Sequence, residues 1–276
     1  MDANGNIVIS FENAYKTLSG RNVLDGMTFD VRRGETFVII GPSGMGKSVT
    51  LKHMVGLMRP DDGEVIISDE GEGGRVRYDV SHLKPIQLER LRAIFGYLFQ
   101  DGALLASLTV GENVALPLFE RRLHVFREKY GRRNAENKIW ERVREKLGMV
   151  DMVHAIDNLP AELSGGMRKR AGLARAIIHE PKIILYDEPT SGLDPVMGTN
   201  INRLIRHLQE KLGVTSLVVT HDIDSAYYVG DRIAMINRGR MEQIGTPDEI
   251  KNTTNPVVRQ FIEGNIEGPL TAGRKH

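Results

Sequence analysis

The sequence predicts an α/β fold with a mainly parallel sheet and a helical lobe inserted between its strands. Three observations predict it. Apolar runs of strand length alternate along the chain with segments of helical period. One of those runs, Thr36–Ile40, leads into GPSGMGKS (41–48), a glycine-rich loop followed by a helical run. From residue 110 to 159 the strand pattern stops and a charged helical pattern replaces it.

In chain order, β-type runs at 7–11 and 28–31 precede the strongly apolar Thr36–Ile40, and 64–67 follows the loop and its helix, SVTLKHMVGLM. The polar, glycine-rich stretch 68–81 reads as a hairpin excursion or loop, and 95–99 as another strand. The 110–159 block centres on LPLFERRLHVFREKYGRRNAENKIWERVREKLGMVDM. After ELSGG, positions Met167, Ala171, Ala174, Ile177 and Ile178 repeat at helical spacing. IILYD (183–187) and SLVVT (216–220) are apolar throughout, as strands buried on both faces must be. Between them Pro195–Leu212 aligns Ile201, Leu204, Ile205, Leu208 and Leu212 on one helical face. A short helix from Ile223, two strand-like runs (Arg232–Asn237 and 240–244) and a polar extension read as helical complete the chain. The last residues, GNIEGPLTAGRKH, are polar and rich in Gly and Pro, so disorder is expected there.

At 276 residues the chain can bury a full α/β core. Lys and Arg number 37 against 36 Asp and Glu, a net charge of +1, which supplies no field for nucleic acid. The absence of cysteine excludes disulfides and thiolate zinc sites. MDANGNIVISFENAY lacks the apolar centre of a signal peptide, and no stretch approaches the ~18–20 apolar residues that span a bilayer. A cytosolic protein is expected, with any membrane link made through a partner.

GPSGMGKS matches G-x-x-x-x-G-K-[ST], and its neighbours argue against a mere glycine-rich turn. Gly41, Gly44 and Gly46 let successive N–H groups turn towards phosphate oxygens. Lys47 supplies a point charge for the β- and γ-phosphates, and the Ser48 hydroxyl is a ligand for Mg2+. Pro42, Ser43, Met45 and Val49 complete the nucleotide-binding loop. IILYDEP then ends a buried strand with two carboxylates: Asp187 to hold Mg2+, and Glu188 as general base on the attacking water. His221, after the next apolar strand, stands at the carboxyl edge of the sheet, where it can reach the γ-phosphate. Gln100 occupies another edge position, with an amide oxygen for the metal and the water. The Ser164-Gly165-Gly166 turn is a second phosphate loop, because a helix N-terminus offers free N–H groups to an anion.

Taken in order, GPSGMGKS, Gln100, LSGGM, IILYDEP, SGLD and His221 resemble an ATP-binding-cassette (ABC) ATPase from about residue 7 to 245. That resemblance implies a P-loop NTPase fold: a RecA-like, mainly parallel core and an antiparallel β subdomain over 1–109 and 160–246. It also implies an inserted helical subdomain over 110–159, with residues 247–276 as a partly disordered C-terminal extension. It further implies ATP and Mg2+, and a head-to-tail homodimer in which Ser164 and Gly166 contact the γ-phosphate of ATP held by the other subunit. Gly192, Leu193 and Asp194 resemble the loop that communicates between the two sites. One position departs: where the family stacks an aromatic on adenine, this chain has Leu18, with Tyr15 out of register. Weaker discrimination between ATP and GTP is expected.

DGALLASLTVGENVALPL (101–118), LSGGMRKRAGLARA and the C-terminal NPVVRQFIEG resemble the ATPases of Mla/Mce-type lipid transporters. The resemblance implies peripheral attachment at the cytoplasmic face of a bacterial inner membrane. The implied partners are an integral permease, an MCE-domain lipid-binding protein and a STAS-domain protein. A betaine or amino-acid importer ATPase is the alternative, since the betaine group also shows LSGGM; a non-transport cassette is the third reading. The basic run ERRLHVFREKYGRR (120–133) is read as a solvated helix face, with anionic headgroups as the competing ligand. His53, His82, His124, His154, His179, His207 and His276 show no ligand spacing.

Overall fold

Two sheets divide the strands of the computed structural model, which describes residues 6–71 and 74–271. The first is antiparallel, in the order β2 (Arg21–Arg32), β1 (Ile7–Leu18), β4 (Asp62–Gly71), β5 (Gly74–Asp79). The second runs β10 (Arg240–Gly245), β9 (Arg232–Asn237), β3 (Thr36–Ile40), β8 (Thr215–Thr220), β7 (Ile183–Asp187), β6 (Phe95–Leu98). Every pairing in the second sheet is parallel except the β9–β10 hairpin.

The continuous apolar runs are explained by the two faces they bury. On β3, Val38 and Ile40 point to a core shared with helices, while Phe37 and Ile39 point to one shared with the antiparallel sheet. Phe11, Phe29 and Phe37 stack in a column between the sheets, with centroids 4.6 and 5.5 Å apart. The helical side is built from α3 (Val110–Arg121), α4 (Leu123–Tyr130), α5 (Arg132–Met149), α6 (Gly165–Ile177), α7 (Pro195–Leu212) and α8 (Ile223–Val229). Thr109 opens the inserted lobe, its hydroxyl accepting from the Glu112 N–H while the Glu112 carboxylate accepts from the Thr109 N–H. Trp140 anchors the lobe edge-on to Phe119, at 6.5 Å.

Several elements differ from the sequence reading. The first strand continues from Phe11 to Leu18 through bulges, held by pairing with β2 and β4 rather than by its own polar residues. Within 68–81, Ser68–Gly71 does pair with Gly74–Arg77, the hairpin alternative of the sequence reading. A helix α2 (Pro85–Arg92) follows it, unannounced by any strong period. The extension does form helices, as expected: α9 (Pro247–Lys251) and α10 (Pro256–Glu263). The tail expected to be disordered folds back on α10 up to Thr271. There the Gln260 side chain accepts from the Leu270 N–H at 2.7 Å and donates to the Asn265 carbonyl at 3.1 Å. Residues 272–276, His276 included, lie outside the described residues. Among the described residues no helix is long and apolar enough to cross a membrane.

Candidate active site: a nucleotide cleft and a second phosphate loop

Parallel strands deliver their C-terminal ends to one edge, and four of them meet there. β3 ends at the 41–48 loop, which leads into α1 (Lys47–Met54); β6 ends before Gln100, β7 at Asp187, β8 before His221. Ser43, Gly44, Gly46, Lys47, Ser48, Val49, Gln100, Glu188 and His221 line a cleft of about 310 Å3, together with Val23 and Ser191. Residues up to 178 positions apart in the sequence reading thus converge. Gly46 shows why the loop needs glycine: its φ is +103°, and a Cβ would lie 2.6 Å from the Val23 carbonyl oxygen.

Lys47 is buried and donates to the Gly41 and Pro42 carbonyls at 2.7 and 3.1 Å, which curls the loop around its ammonium. Burial lowers its pKa, opposed by the neighbouring Glu188 and Asp187 carboxylates. The Ser48 hydroxyl donates to Asp187 Oδ1 at 3.0 Å, and the Tyr97 hydroxyl donates to Asp187 Oδ2 at 3.2 Å. Burial pushes the Asp187 carboxyl up from its ordinary value, although both hydroxyls pull it down. It also pushes the Tyr97 phenol up, so Tyr97 stays a donor. Glu188 lies between two cationic or donor groups: its Oε1 is 3.8 Å from Lys47 Nζ, and its Oε2 is 2.8 Å from His221 Nδ1. Its backbone is left-handed, φ +51°, with its N–H donating to the Val219 carbonyl at 2.9 Å.

The second loop stands apart. Ser164 caps α6, its hydroxyl accepting from the Met167 N–H at 3.3 Å, and none of Ser164, Gly165 or Gly166 lines the cleft. Gly165 and Gly166 abut Leu193 and Met197 instead, so the loop leans on the 192–194 segment. Asp194 fixes that segment by capping α7, accepting from the Val196 and Met197 N–H groups at 3.0 Å each.

Leu18 is also outside the cleft. It sits half-buried at the tip of the β1–β2 hairpin, opposite Arg21 across a turn whose Ser19 and Gly20 both have positive φ. Tyr15 turns to Gly26 on the same sheet. The residue that reaches the cleft from β2 is Val23, which carries no motif and was invisible in the sequence. Tyr97 was also missed, although its place two residues before Phe99 on an edge-directed strand was a usable signal.

The 41–48 loop faces the carboxylates of Asp187 and Glu188, whereas the Ser164 turn lies away from them at the start of α6. The chain belongs to the ABC transporter family, whose profile matches residues 24–191, and it is an ATP hydrolase coupled to transport. The probable ribonucleotide transport ATP-binding protein mkl of Mycobacterium leprae is 37% identical over 96% of this chain and 71% of its own length. The chloroplastic protein TRIGALACTOSYLDIACYLGLYCEROL 3 of Arabidopsis thaliana is 36% identical over 98% of this chain and 77% of its own length. Among solved structures, a dimeric, post-hydrolysis form of the cassette MJ0796 bound to ADP and Pi matches at 32% identity. Its TM-score is 0.73, over 87% of this chain and 98% of that one.

Proposed function

We propose that this chain is the ATP-driven motor of a lipid transporter, working as a head-to-tail homodimer on the cytoplasmic face of a bacterial inner membrane. The observation that carries the dimer is the position of the Ser164 loop, which has no nucleotide cleft of its own to serve. A related cassette is described as dimeric with ADP and Pi, which supports a dimer. In the proposed homodimer, Ser164, Gly165 and Gly166 close on the γ-phosphate of ATP cradled by Gly41–Val49 of the other copy.

The residues of the cleft fit both ATP and a divalent cation. Gly44 leaves open space where a side chain would stand, Lys47 supplies the positive charge, and Ser48 and Asp187 present adjacent oxygens of the type Mg2+ takes. Ser48, Asp187 and Gln100 would hold such an ion, which would supply positive charge against the phosphates. Glu188 accepts the proton of the attacking water, Gln100 orients that water, and His221 holds the γ-phosphate and the Glu188 carboxylate in one frame. Closure of the dimer is a ligand-biased two-state step. A swing from 1:99 to 99:1 needs ~5.5 kcal/mol of preference for the closed form, which a phosphate bridging two chains can supply.

Lipid cargo is supported by the MRKR sequence after LSGG and by the plant relative, which is named for a galactolipid. The mycobacterial relative is named for ribonucleotide transport. The partners proposed are a permease, seated where the 101–118 segment meets the helical lobe, an MCE-domain protein and a STAS-domain protein. Affinity purification from membranes tests this: a permease and an MCE-domain protein with phospholipid are expected to co-purify. A betaine or amino-acid permease in their place contradicts the lipid reading.

A further inference from the structure

Lys169 lies on α6, one turn beyond the Ser164 loop, and is 4% exposed. A lysine buried this far normally meets a carboxylate. Here Nζ donates instead to the main-chain oxygen of Glu188, at 2.8 Å. The carboxylates of Asp101, Glu188 and Asp187 keep the ammonium favourable against a burial that lowers its pKa. Glu188 is therefore held at both ends of its residue: its N–H by Val219 of β8, its carbonyl by Lys169 of α6. Both ties matter because the residue sits at φ +51°, a conformation that a glutamate keeps only when its surroundings impose it.

The same helix has a third attachment. Arg175 donates to the Gly102 and Ala103 carbonyls at 2.9 and 2.7 Å, just past Gln100. Gly172 packs so close that a Cβ there would stand 3.0 Å from the Gly102 Cα. One 13-residue helix, roughly 20 Å long, thus carries the second phosphate loop at its start, the tie to Glu188 near its middle and the tie to the Gln100 segment near its end.

We propose that Lys169 is a positioning residue through which α6 sets the aim of the Glu188 carboxylate. A shift of α6 would pull on the Glu188 carbonyl through Lys169 and turn the side chain against Lys47 and His221. The inference rests on the reading of Glu188 as general base.

A double-mutant cycle on the full chain tests it, with ATP affinity and phosphate release measured for parent, K169M, E188Q and the double variant. Methionine fills the lysine stem without a donor. K169M is expected to bind ATP within about twofold of the parent and to turn over about tenfold more slowly, equivalent to ~1.4 kcal/mol. In the E188Q background the same substitution is expected to change the residual rate by less than about twofold, because there is no base left to aim. K169M turnover within about twofold of the parent, or the same tenfold loss in both backgrounds, overturns the proposal. Should K169M fail to bind nucleotide, K169Q replaces it in the cycle under the same two criteria. E188Q turning over like the parent removes the base reading itself, an outcome distinct from an inactive E188Q with an unaffected K169M.

Discussion

His179 makes the stability of this protein sensitive to mild acid. Its Nε2 stands 3.0 Å from the Phe95 carbonyl oxygen and serves as donor, while its Nδ1 is buried with no partner. Protonation would place a second N–H where nothing accepts it, beside Arg121 and Arg122, and burial accordingly lowers the pKa from 6.5 to about 4. A folded-state pKa below the unfolded value means that the unfolded chain binds the proton first. Stability from this group is therefore full above pH 6.5 and falls as pH drops through the window down to 4. By linkage the loss reaches about 2 kcal/mol at pH 5, and at most about 3 kcal/mol below pH 4. His179→Gln keeps a donor for Phe95 and removes the titration. Urea unfolding of both proteins at pH 7 and pH 5 is the assay. The parent is expected to lose about 2 kcal/mol more than the variant over that interval, the carboxylates common to both cancelling. Equal losses would refute the reasoning.

The cleft yields further predictions. Gly46→Ala forces a side chain into a left-handed position against the Val23 carbonyl, so ATP binding should fall by at least about tenfold, or ~1.4 kcal/mol, by nucleotide titration. Leu18→Ala tests adenine selection: the parent should bind ATP and GTP with similar affinity. Strong ATP preference in both parent and variant, at comparable affinities, contradicts that. Arg121, Arg127, Lys129, Arg132 and Arg133 are exposed on and around α4, and charge reversal there should weaken binding to anionic liposomes by about 1 kcal/mol per residue if headgroups are their ligand. Unchanged liposome binding leaves these residues as a solvated face.

What could be read in the sequence was whatever is contiguous in the chain. GPSGMGKS, LSGGM and IILYDEP carry their chemistry within eight residues, and fully buried strands announce themselves by unbroken apolar runs. The second half of β1 could not be read, because Glu12, Asn13, Tyr15 and Thr17 extend only by pairing with their neighbours. The contact of Tyr97 with Asp187 and that of Lys169 with the Glu188 carbonyl span 90 and 19 positions. No local period encodes them. The tail read as polar and disordered because composition does not register one buried glutamine, Gln260, serving its backbone.

Glu188→Gln tests the central claim most directly. It preserves the shape of the side chain but removes the carboxylate that lies 3.8 Å from Lys47 and 2.8 Å from His221. With ATP, light scattering and phosphate release are followed on the same sample. The variant should bind ATP, release phosphate only at a small residual rate and accumulate as a dimer of twice the 30.8 kDa chain. Phosphate release at the parent rate would contradict the account, and so would a variant that stays monomeric with ATP bound.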